Sequence, residues 1–356
     1  MEFALFHTPF DLPHRTPEQI FTYAVNQAVA AEEAGFTEYW VGEHFTQTWE
    51  CIPNPELVIA AAARETDRIK LCPGAHLLPY HDPATLAIRC AWLSHITQGR
   101  YILGIGAGAF PGDAALHGLP DLSQNHEMVK ESLDIMLKVW EGEPFHYEGR
   151  HFRGGFPEPV DGHPYRSWTP YGGTMPLALA GLSPNSPTLT FAGSRGYIPL
   201  SVFAGEATVK NHWESYAAAA AEAGITGVSR KELRVAREVF CAETDAEAKR
   251  LASEYLGRAW REYLLPVYKL VGLMERLIPD PTIDPMSVDV DYLVDHVWIV
   301  GSPDTVVEKL EASIDANGGY GTTLVFAHDF MDNPEPWNQS MRLLAKEVGP
   351  RVRVPE

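Results

Sequence analysis

Cysteine is scarce: four residues in 356, at positions 51, 72, 90 and 241, with no C-x-x-C pair. That scatter excludes a disulfide framework and a thiolate zinc site, and reads as reduced thiols of a cytoplasmic protein. Basic residues are also few, 28 Lys and Arg against 47 Asp and Glu, for a net charge of −19. Such a chain repels nucleic acid and anionic membrane, which removes both as partners. No run approaches the ~18 uninterrupted apolar residues of a membrane span. The opening Met-Glu-Phe-Ala-Leu-Phe has no basic region ahead of a long apolar stretch, so no signal peptide is expected. Repeats and low-complexity linkers are missing too. So are the G-x-S-x-G of a serine hydrolase and any H-x-x-x-H or carboxylate spacing suited to a metal, and no metal is expected.

What is present is a globular composition, 45% hydrophobic and 21% charged, with a regular alternation of short β-rich runs and amphipathic segments. Strands are expected at 3–7, 39–41, 69–78, 101–106, 177–180, 197–200, 233–241 and 323–327. Helices are expected at 17–34, 55–66, 84–97, 125–140 and 207–223, in a short segment ending near Gly196, in a long region from 246 to about 274, after Gly301-Ser-Pro-Asp-Thr305, and in a last segment ending before Gly349. Thr16 with Gln19 forms a capping box, Pro17 takes the first helical position and Gly35 ends the first helix. Phe145 to Phe152 reads as a hairpin turning at Glu148-Gly149. Pro279, Pro281 and Pro285 mark a loop. Eight strands, each followed by a helix, predict an α/β chain folded as a single (β/α)8 TIM barrel over residues 1–356, with insertions after strands four and seven.

In such a barrel, function gathers just past the C-terminal ends of the strands. The residues found there are His7, Glu43-His44, Gly74-Ala75-His76, Gly106-Ala107-Gly108, Gly181-Leu182-Ser183, Phe203 and His328. The stretch around Glu38-Tyr-Trp-Val-Gly-Glu-His-Phe45 ends a strand by presenting a carboxylate and an imidazole. Three glycine-rich ends would let a flat ligand lie against backbone. Gly104-Ile-Gly-Ala-Gly-Ala109 formally fits a dinucleotide fingerprint, but Pro111, Gly112 and Asp113 follow and no second strand arrives in the required window. Gly181 to Thr188 joins a strand to a helix and carries Ser183, Asn185, Ser186 and Thr188. Free N–H groups at a helix start plus hydroxyls suit a phosphate, although a plain N-cap would use some of the same residues. Trp213, Trp260, Tyr263 and Tyr268 read as core or pocket lining. The helix containing Leu57 to Ala63 has small and apolar residues on more than one face, which predicts a homodimer.

Several of these stretches, taken together in order and spacing, resemble the bacterial luciferase-like, FMN-dependent oxygenases over nearly the whole chain. They are Ala34-Gly-Phe36, Trp40-Val-Gly-Glu-His44, Asn54-Pro55, Leu78-Pro79 with Asp82-Pro83, Gly99-Arg100 with Gly104-Ile-Gly106, Glu131 with Trp140, and Gly301-Ser-Pro-Asp304. Within that family the chain is most similar to the diketocamphane monooxygenases, through Trp49-Glu-x-Ile-Pro-Asn-Pro-Glu-Leu57, Gly104 to Ala109, Ser183-x-Asn-Ser-Pro187 and Ala327-His-Asp329.

The resemblance implies reduced FMN as cosubstrate, supplied by a separate NAD(P)H-dependent flavin reductase. It also implies an apolar small molecule as substrate and, within the diketocamphane group, Baeyer–Villiger oxidation of a cyclic or terpenoid ketone to a lactone. Hydroxylation or epoxidation of a terpene or hydrocarbon, F420-dependent hydride transfer, and flavin binding without turnover stay open as alternatives. His44 matches the family's active-site histidine, with Glu43 beside it as a catalytic partner. Gly74-Ala75 matches the place of a non-prolyl cis peptide under the flavin, with His76 next in line. Gly106 stands where luciferase has a reactive cysteine, which argues against light emission. Ser183 to Thr188 matches the flavin phosphate region, and His7, Trp49, Phe203 and His328 are expected to line the substrate pocket.

Overall fold

The computed structural model describes residues 1–163, 165–270, 272–278, 280 and 282–355. Pro279 and Pro281 of the expected loop lie outside the described residues. The strands are β1 (Glu2–Phe10), β2 (Glu38–Val41), β3 (Lys70–Pro73), β4 (His76–Leu77), β5 (Leu103–Gly106), β6 (Phe145–Glu148), β7 (Arg153–Phe156), β8 (Leu177–Gly181), β9 (Ile198–Ser201), β10 (Arg234–Arg237), β11 (Val239–Cys241), β12 (Ile299–Gly301) and β13 (Thr322–His328).

Nine of these form one sheet in the order β3-β2-β1-β13-β10-β9-β8-β5-β4, and its paired neighbours run parallel. The sheet begins and ends with β3 and β4, which are two pieces of a single stave interrupted at Gly74-Ala75. The ring therefore closes with eight staves, and a parallel bridge from Leu71 to Tyr101 ties the seam. The expected unbroken third strand at 69–78 is corrected accordingly. The Gly74–Ala75 peptide is cis, in keeping with what the resemblance implied.

Local sequence explains the outer layer. Thr16 and Gln19 form the expected capping box at the start of helix Pro17–Ala34, and Gly35 closes it at φ 107°, a left-handed conformation that favours glycine. The longest excursions lie between β5 and β8 and between β10 and β13. The first holds helices Pro111–Leu116 and Asn125–Glu141 and the β6–β7 hairpin. Glu131 caps that hairpin by accepting from the His151 and Phe152 N–H groups. Helix Pro111–Leu116 is absent from the sequence expectation, because a six-residue helix shows too little periodicity to detect.

Strand seven, expected to be continuous from 233 to 241, breaks at Glu238. Its first half, β10, stays in the barrel, whereas β11 leaves to pair with β12. β12 itself escaped the sequence reading, being only three residues long.

Inside the barrel, alternate residues point inward. Phe6 stacks on Phe326 and Phe326 on Phe203. A Cβ on Gly104 would lie 2.1 Å from the Pro73 carbonyl oxygen and 2.9 Å from the Trp40 ring. The G-x-G pattern of β5 thus serves close packing across the barrel.

Candidate active site

His44 follows β2 at the C-terminal mouth, and both its ring nitrogens meet carboxylates. Nδ1 is 3.3 Å from Asp113 Oδ2 and Nε2 is 3.4 Å from Glu50 Oε2. The Phe110 ring meets the imidazole edge-on at 4.8 Å. Burial opposes charge on the imidazole, but the hydrogen bond to Asp113 and the fields of Glu50, Asp113 and Glu43 outweigh it, so its pKa is raised. Asp113 also accepts from the Phe45 and Thr46 N–H groups and from the Thr46 hydroxyl. Burial resists its ionisation, and His44 and Thr46 overcome that to lower its pKa. On the other side, Glu50 accepts from the Tyr263 hydroxyl at 2.7 Å. Burial raises the Glu50 pKa, with His44 and Tyr263 working against it.

Glu43 is not the residue that holds His44. Neighbouring side chains diverge at the strand end, and the Glu43 carboxylate accepts from Leu77 N–H at 2.7 Å and lies 3.0 Å from His81 Nε2. Burial resists its charge, yet the neighbouring His76 and His81 keep its pKa far below the usual carboxylate range. His76 is fully buried with its side chain in the helix layer, 3.6 Å from Glu43 and 3.7 Å from Glu56. It faces away from the mouth, so its expected place against a cofactor is corrected for the side chain.

Glu43, His76 and His81 bring three ligand-type atoms within 4.8 Å of one another. Arg89, however, lies 3.4 Å from His81 Nδ1 and 3.0 Å from Glu56. A guanidinium donor facing Nδ1 favours the tautomer with its proton on Nε2, toward Glu43, an arrangement that satisfies these groups without a metal. The cluster supplies its own cation.

The other expected residues divide. Gly74, Ala75, Gly106, Ala107 and Gly108 are partly exposed at the mouth. Side chains are excluded from parts of it: a Cβ on Gly108, at φ 77°, would come within 2.5 Å of the Tyr80 hydroxyl. Asn125 spans the same place, donating to the Ala107 carbonyl at 2.7 Å.

Past β8, Gly181 is buried and Leu182 is exposed. The Ser186 hydroxyl is buried and caps helix Pro187–Arg195, so the capping role claims that side chain. Asn185 is paired with Asn211. Among the described residues the Ser183 and Thr188 hydroxyls make no hydrogen bond, which leaves them as donors for a ligand. His212 holds the turn by bonding the Ser183 carbonyl at 2.8 Å.

Of the expected pocket residues, His7 lies on the outer face of β1. Phe6 takes the inward position, and His7 turns to Tyr39 at 2.9 Å and Tyr23 in the helix layer. His7 is therefore no part of the mouth. Trp49 stacks on Tyr263 at 6.0 Å. Phe203 borders a cavity of about 830 Å³ together with Glu238, Trp260 and Phe326. His328 is buried beside it, 2.7 Å from Glu238 Oε2 and stacked near Phe10.

Asp113, Glu50 and Glu238 were not singled out from sequence. Asp113 sits in a helix too short to show periodicity, and Glu50 entered only as part of the Trp49-Glu50 motif. Nothing local signals Glu238, whose place depends on the break in strand seven.

A closed parallel barrel with an imidazole held between carboxylates at its C-terminal mouth belongs to a recognisable class. The sequence model of the luciferase-like monooxygenases matches residues 1–319, and the chain belongs to that family. Among its relatives, 3,6-diketocamphane 1,6-monooxygenase of Pseudomonas putida is 44% identical, over 100% of this chain and 99% of that protein. The 2,5-diketocamphane 1,2-monooxygenase 1 of the same organism is 45% identical, over 99% of this chain and 100% of its own. The solved structure of the oxygenating constituent of P. putida 3,6-diketocamphane monooxygenase is described as a type II Baeyer–Villiger monooxygenase in complex with FMN. It superposes with a TM-score of 0.96 at 45% identity, covering 100% of this chain and 99% of that one.

Proposed function

We propose that this chain is the oxygenating component of a two-component flavin system. It would use reduced FMN and dioxygen to insert an oxygen atom beside the carbonyl of a cyclic, apolar ketone of terpenoid type, giving a lactone. The observation that carries this reading is the full-length match, at 45% identity, to an FMN-bound type II Baeyer–Villiger monooxygenase. The chain's own residues fit the cofactor. The partly exposed Gly74-Ala75 and Gly106-Ala107-Gly108 offer a flat backbone surface for the ring system. The Ser183 and Thr188 hydroxyls beside a nine-residue helix N-terminus suit its phosphate. Reduced FMN, when bound, supplies the electrons that activate oxygen.

Around it the protein binds, orients and moves protons. His44, half-buried and with its pKa raised by the neighbouring carboxylates, is placed to donate a proton to an oxygen atom as the carbonyl carbon rearranges. The aromatic walls at Trp49, Phe110 and Phe203 keep water from the reacting atoms.

A separate NAD(P)H-dependent reductase would deliver reduced FMN, consistent with a relative described as only the oxygenating constituent of its system. Homodimer formation is supported by Leu57 at 62% and Trp92 at 58% exposure on adjacent helices. Four free cysteines suit a cytoplasmic setting. The decisive experiment mixes enzyme and reduced FMN anaerobically, then adds oxygen with a panel of monocyclic and bicyclic ketones. Lactone carrying one atom from labelled oxygen is the expected product. Stoichiometric hydrogen peroxide with every ketone would sink the reading.

A further inference from the structure

Helix Asp245–Ala259 widens into a π-helical turn at Trp260–Leu264. Such turns insert an extra residue and re-aim side chains, frequently at functional sites. Here the turn aims two hydrogen-bond donors at two buried carboxylates. Trp260 Nε1 donates to Glu238 Oε1 at 2.6 Å, and the Tyr263 hydroxyl donates to Glu50 Oε1 at 2.7 Å. The second oxygen of each carboxylate meets an imidazole: Glu238 meets His328 at 2.7 Å and Glu50 meets His44 at 3.4 Å. Trp49, next to Glu50 in sequence, stacks within 8° of parallel on the Tyr263 ring and fixes the donor in place.

We infer that Glu50, anchored through one oxygen by Tyr263, is the positioning residue of His44: its second oxygen, 3.4 Å from Nε2, places a negative charge there that favours the imidazolium. The inference rests on the proposed function, in which an imidazolium proton serves oxygen transfer.

Two carboxylates flank one imidazole. A neutral ring has no charge to balance either of them, whereas an imidazolium balances both. Asp113, at Nδ1, already accepts from two backbone N–H groups and the Thr46 hydroxyl, so its charge is stabilised without His44. Glu50 is buried; among the described residues its carboxylate bonds to Tyr263 and pairs with His44, while the Asp113 charge nearby opposes its ionisation. Its ionised form therefore depends on His44 keeping both protons, and the converse holds by reciprocity. Burial pushes the Tyr263 phenol well up, so it stays a donor throughout the working range. The charged and titratable groups facing His44 are Glu43 and Glu50 from its own loop, Asp113 from helix Pro111–Leu116, and, one residue removed, Tyr263 from the π turn.

The test follows the His44 side-chain nitrogen signals by NMR in flavin-free enzyme from pH 5 to 9, the resonance being assigned by its loss in His44→Gln. The wild-type midpoint should lie above the ordinary histidine value of about 6.5. Glu50→Gln preserves shape and the bond from Tyr263 but removes the charge. It should lower the midpoint by about one pH unit, a tenfold loss of protonated His44 at a given pH. Glu50→Asp keeps the charge at longer reach and should recover part of that change. In turnover, Glu50→Gln should reduce kcat about tenfold and leave KM for the ketone unchanged. If Glu50→Gln does not fold, the titration is read in Glu50→Asp, where a smaller fall is expected. An unmoved midpoint in the folded variant overturns the inference. Because the titration needs no turnover, absence of lactone would refute the proposed function while leaving the Glu50 result standing.

Discussion

Arg234 of β10 reaches across the N-terminal end of the barrel to Glu38 of β2, Nη2 to Oε1, at 2.9 Å, with both side chains buried. Glu38 also accepts from Trp40 Nε1 at 2.9 Å, so one carboxylate joins opposite sides of the floor beneath the site.

The first prediction concerns that pair. Burial raises the Glu38 pKa, and Arg234, Lys70 and Trp40 more than reverse it, so its folded pKa lies below the ordinary value. A depressed carboxylate stabilises the fold fully above its unfolded pKa of about 4.3, and that stabilisation is lost as pH falls through the folded value. Glu38→Gln should leave the buried Arg234 guanidinium with only Glu232 as its anionic partner and cost about 1.5–3 kcal/mol near neutrality. Urea denaturation at pH 7 and pH 4 checks both the loss and its shrinkage in acid.

The second concerns the floor's packing. Gly104→Ala would push a methyl to 2.1 Å from a backbone oxygen, which cannot rotate away. Overpacking of this kind costs at least ~1–3 kcal/mol. Gly118, at φ 74° and with open space around it, is the comparison. Gly118→Ala should cost roughly the left-handed strain alone, about 1 kcal/mol. Equal melting temperatures for the two variants would contradict the packing account.

The sequence exposed what depends on local order and concealed what depends on distant partners. Thr16, Gln19 and Gly35 delimit the first helix by themselves, and the staves follow from short apolar runs in alternation with helices. The inward or outward aim of a side chain requires the barrel. His7 and His76 look equivalent to His44 in sequence, but the strand parity that turns Phe6 and Ala75 inward sends both histidines into the helix layer. Glu43 adjoins His44 in the chain but turns its carboxylate to Leu77 N–H and His81, while Asp113 and Glu50 are brought in by folding. The strand breaks at Gly74 and Glu238 were hidden because β-forming residues stand on both sides of each, Leu71-Cys72 and Leu77-Leu78 at the first and Val235-Ala236 and Val239-Phe240 at the second.

The third prediction concerns assembly. Trp92→Glu places a charge at an exposed apolar position on the helix adjacent to the one that carries Leu57. Light scattering at micromolar protein should report a dimer for the wild type and a monomer for the variant, with the circular dichroism of the barrel unchanged.

The fourth addresses the phosphate. Ser186 caps helix Pro187–Arg195, and Asp is as good a cap as Ser. Ser186→Asp should therefore keep the helix while adding a negative charge where the phosphate is proposed to sit. Affinity for FMN should fall by roughly tenfold or more from like-charge repulsion, whereas affinity for riboflavin, which lacks the phosphate, should hardly change. Flavin fluorescence titrations with both ligands measure this. Equal losses for the two would point to a damaged helix, and no loss for FMN would place the phosphate elsewhere.

The last prediction separates binding from chemistry at His44. The imidazole sits among Asp113, Glu50 and Phe110 past β2, whereas the phosphate is proposed at the Ser183 and Thr188 hydroxyls past β8, a strand that does not neighbour β2 in the sheet. His44→Ala should therefore bind reduced FMN with near-normal affinity. Product formation should fall ~10²-fold or more, the range typical of a lost general acid or base, and hydrogen peroxide released per reduced flavin consumed should rise. His44→Asn keeps a hydrogen-bond donor but cannot titrate, so its rate should lie between those of the wild type and His44→Ala. The raised pKa of His44 carries a sign as well. A proton donor of this kind is fully charged below about 6.5 and loses its proton as pH rises through the higher folded value. Wild-type lactone formation should accordingly hold its rate past pH 6.5 before declining, and the residual rate of His44→Asn should show no such decline. Rapid mixing of enzyme and reduced FMN with oxygen and ketone, following flavin oxidation and lactone together across pH, reads every arm. Lactone at the wild-type rate from His44→Ala would make the histidine structural.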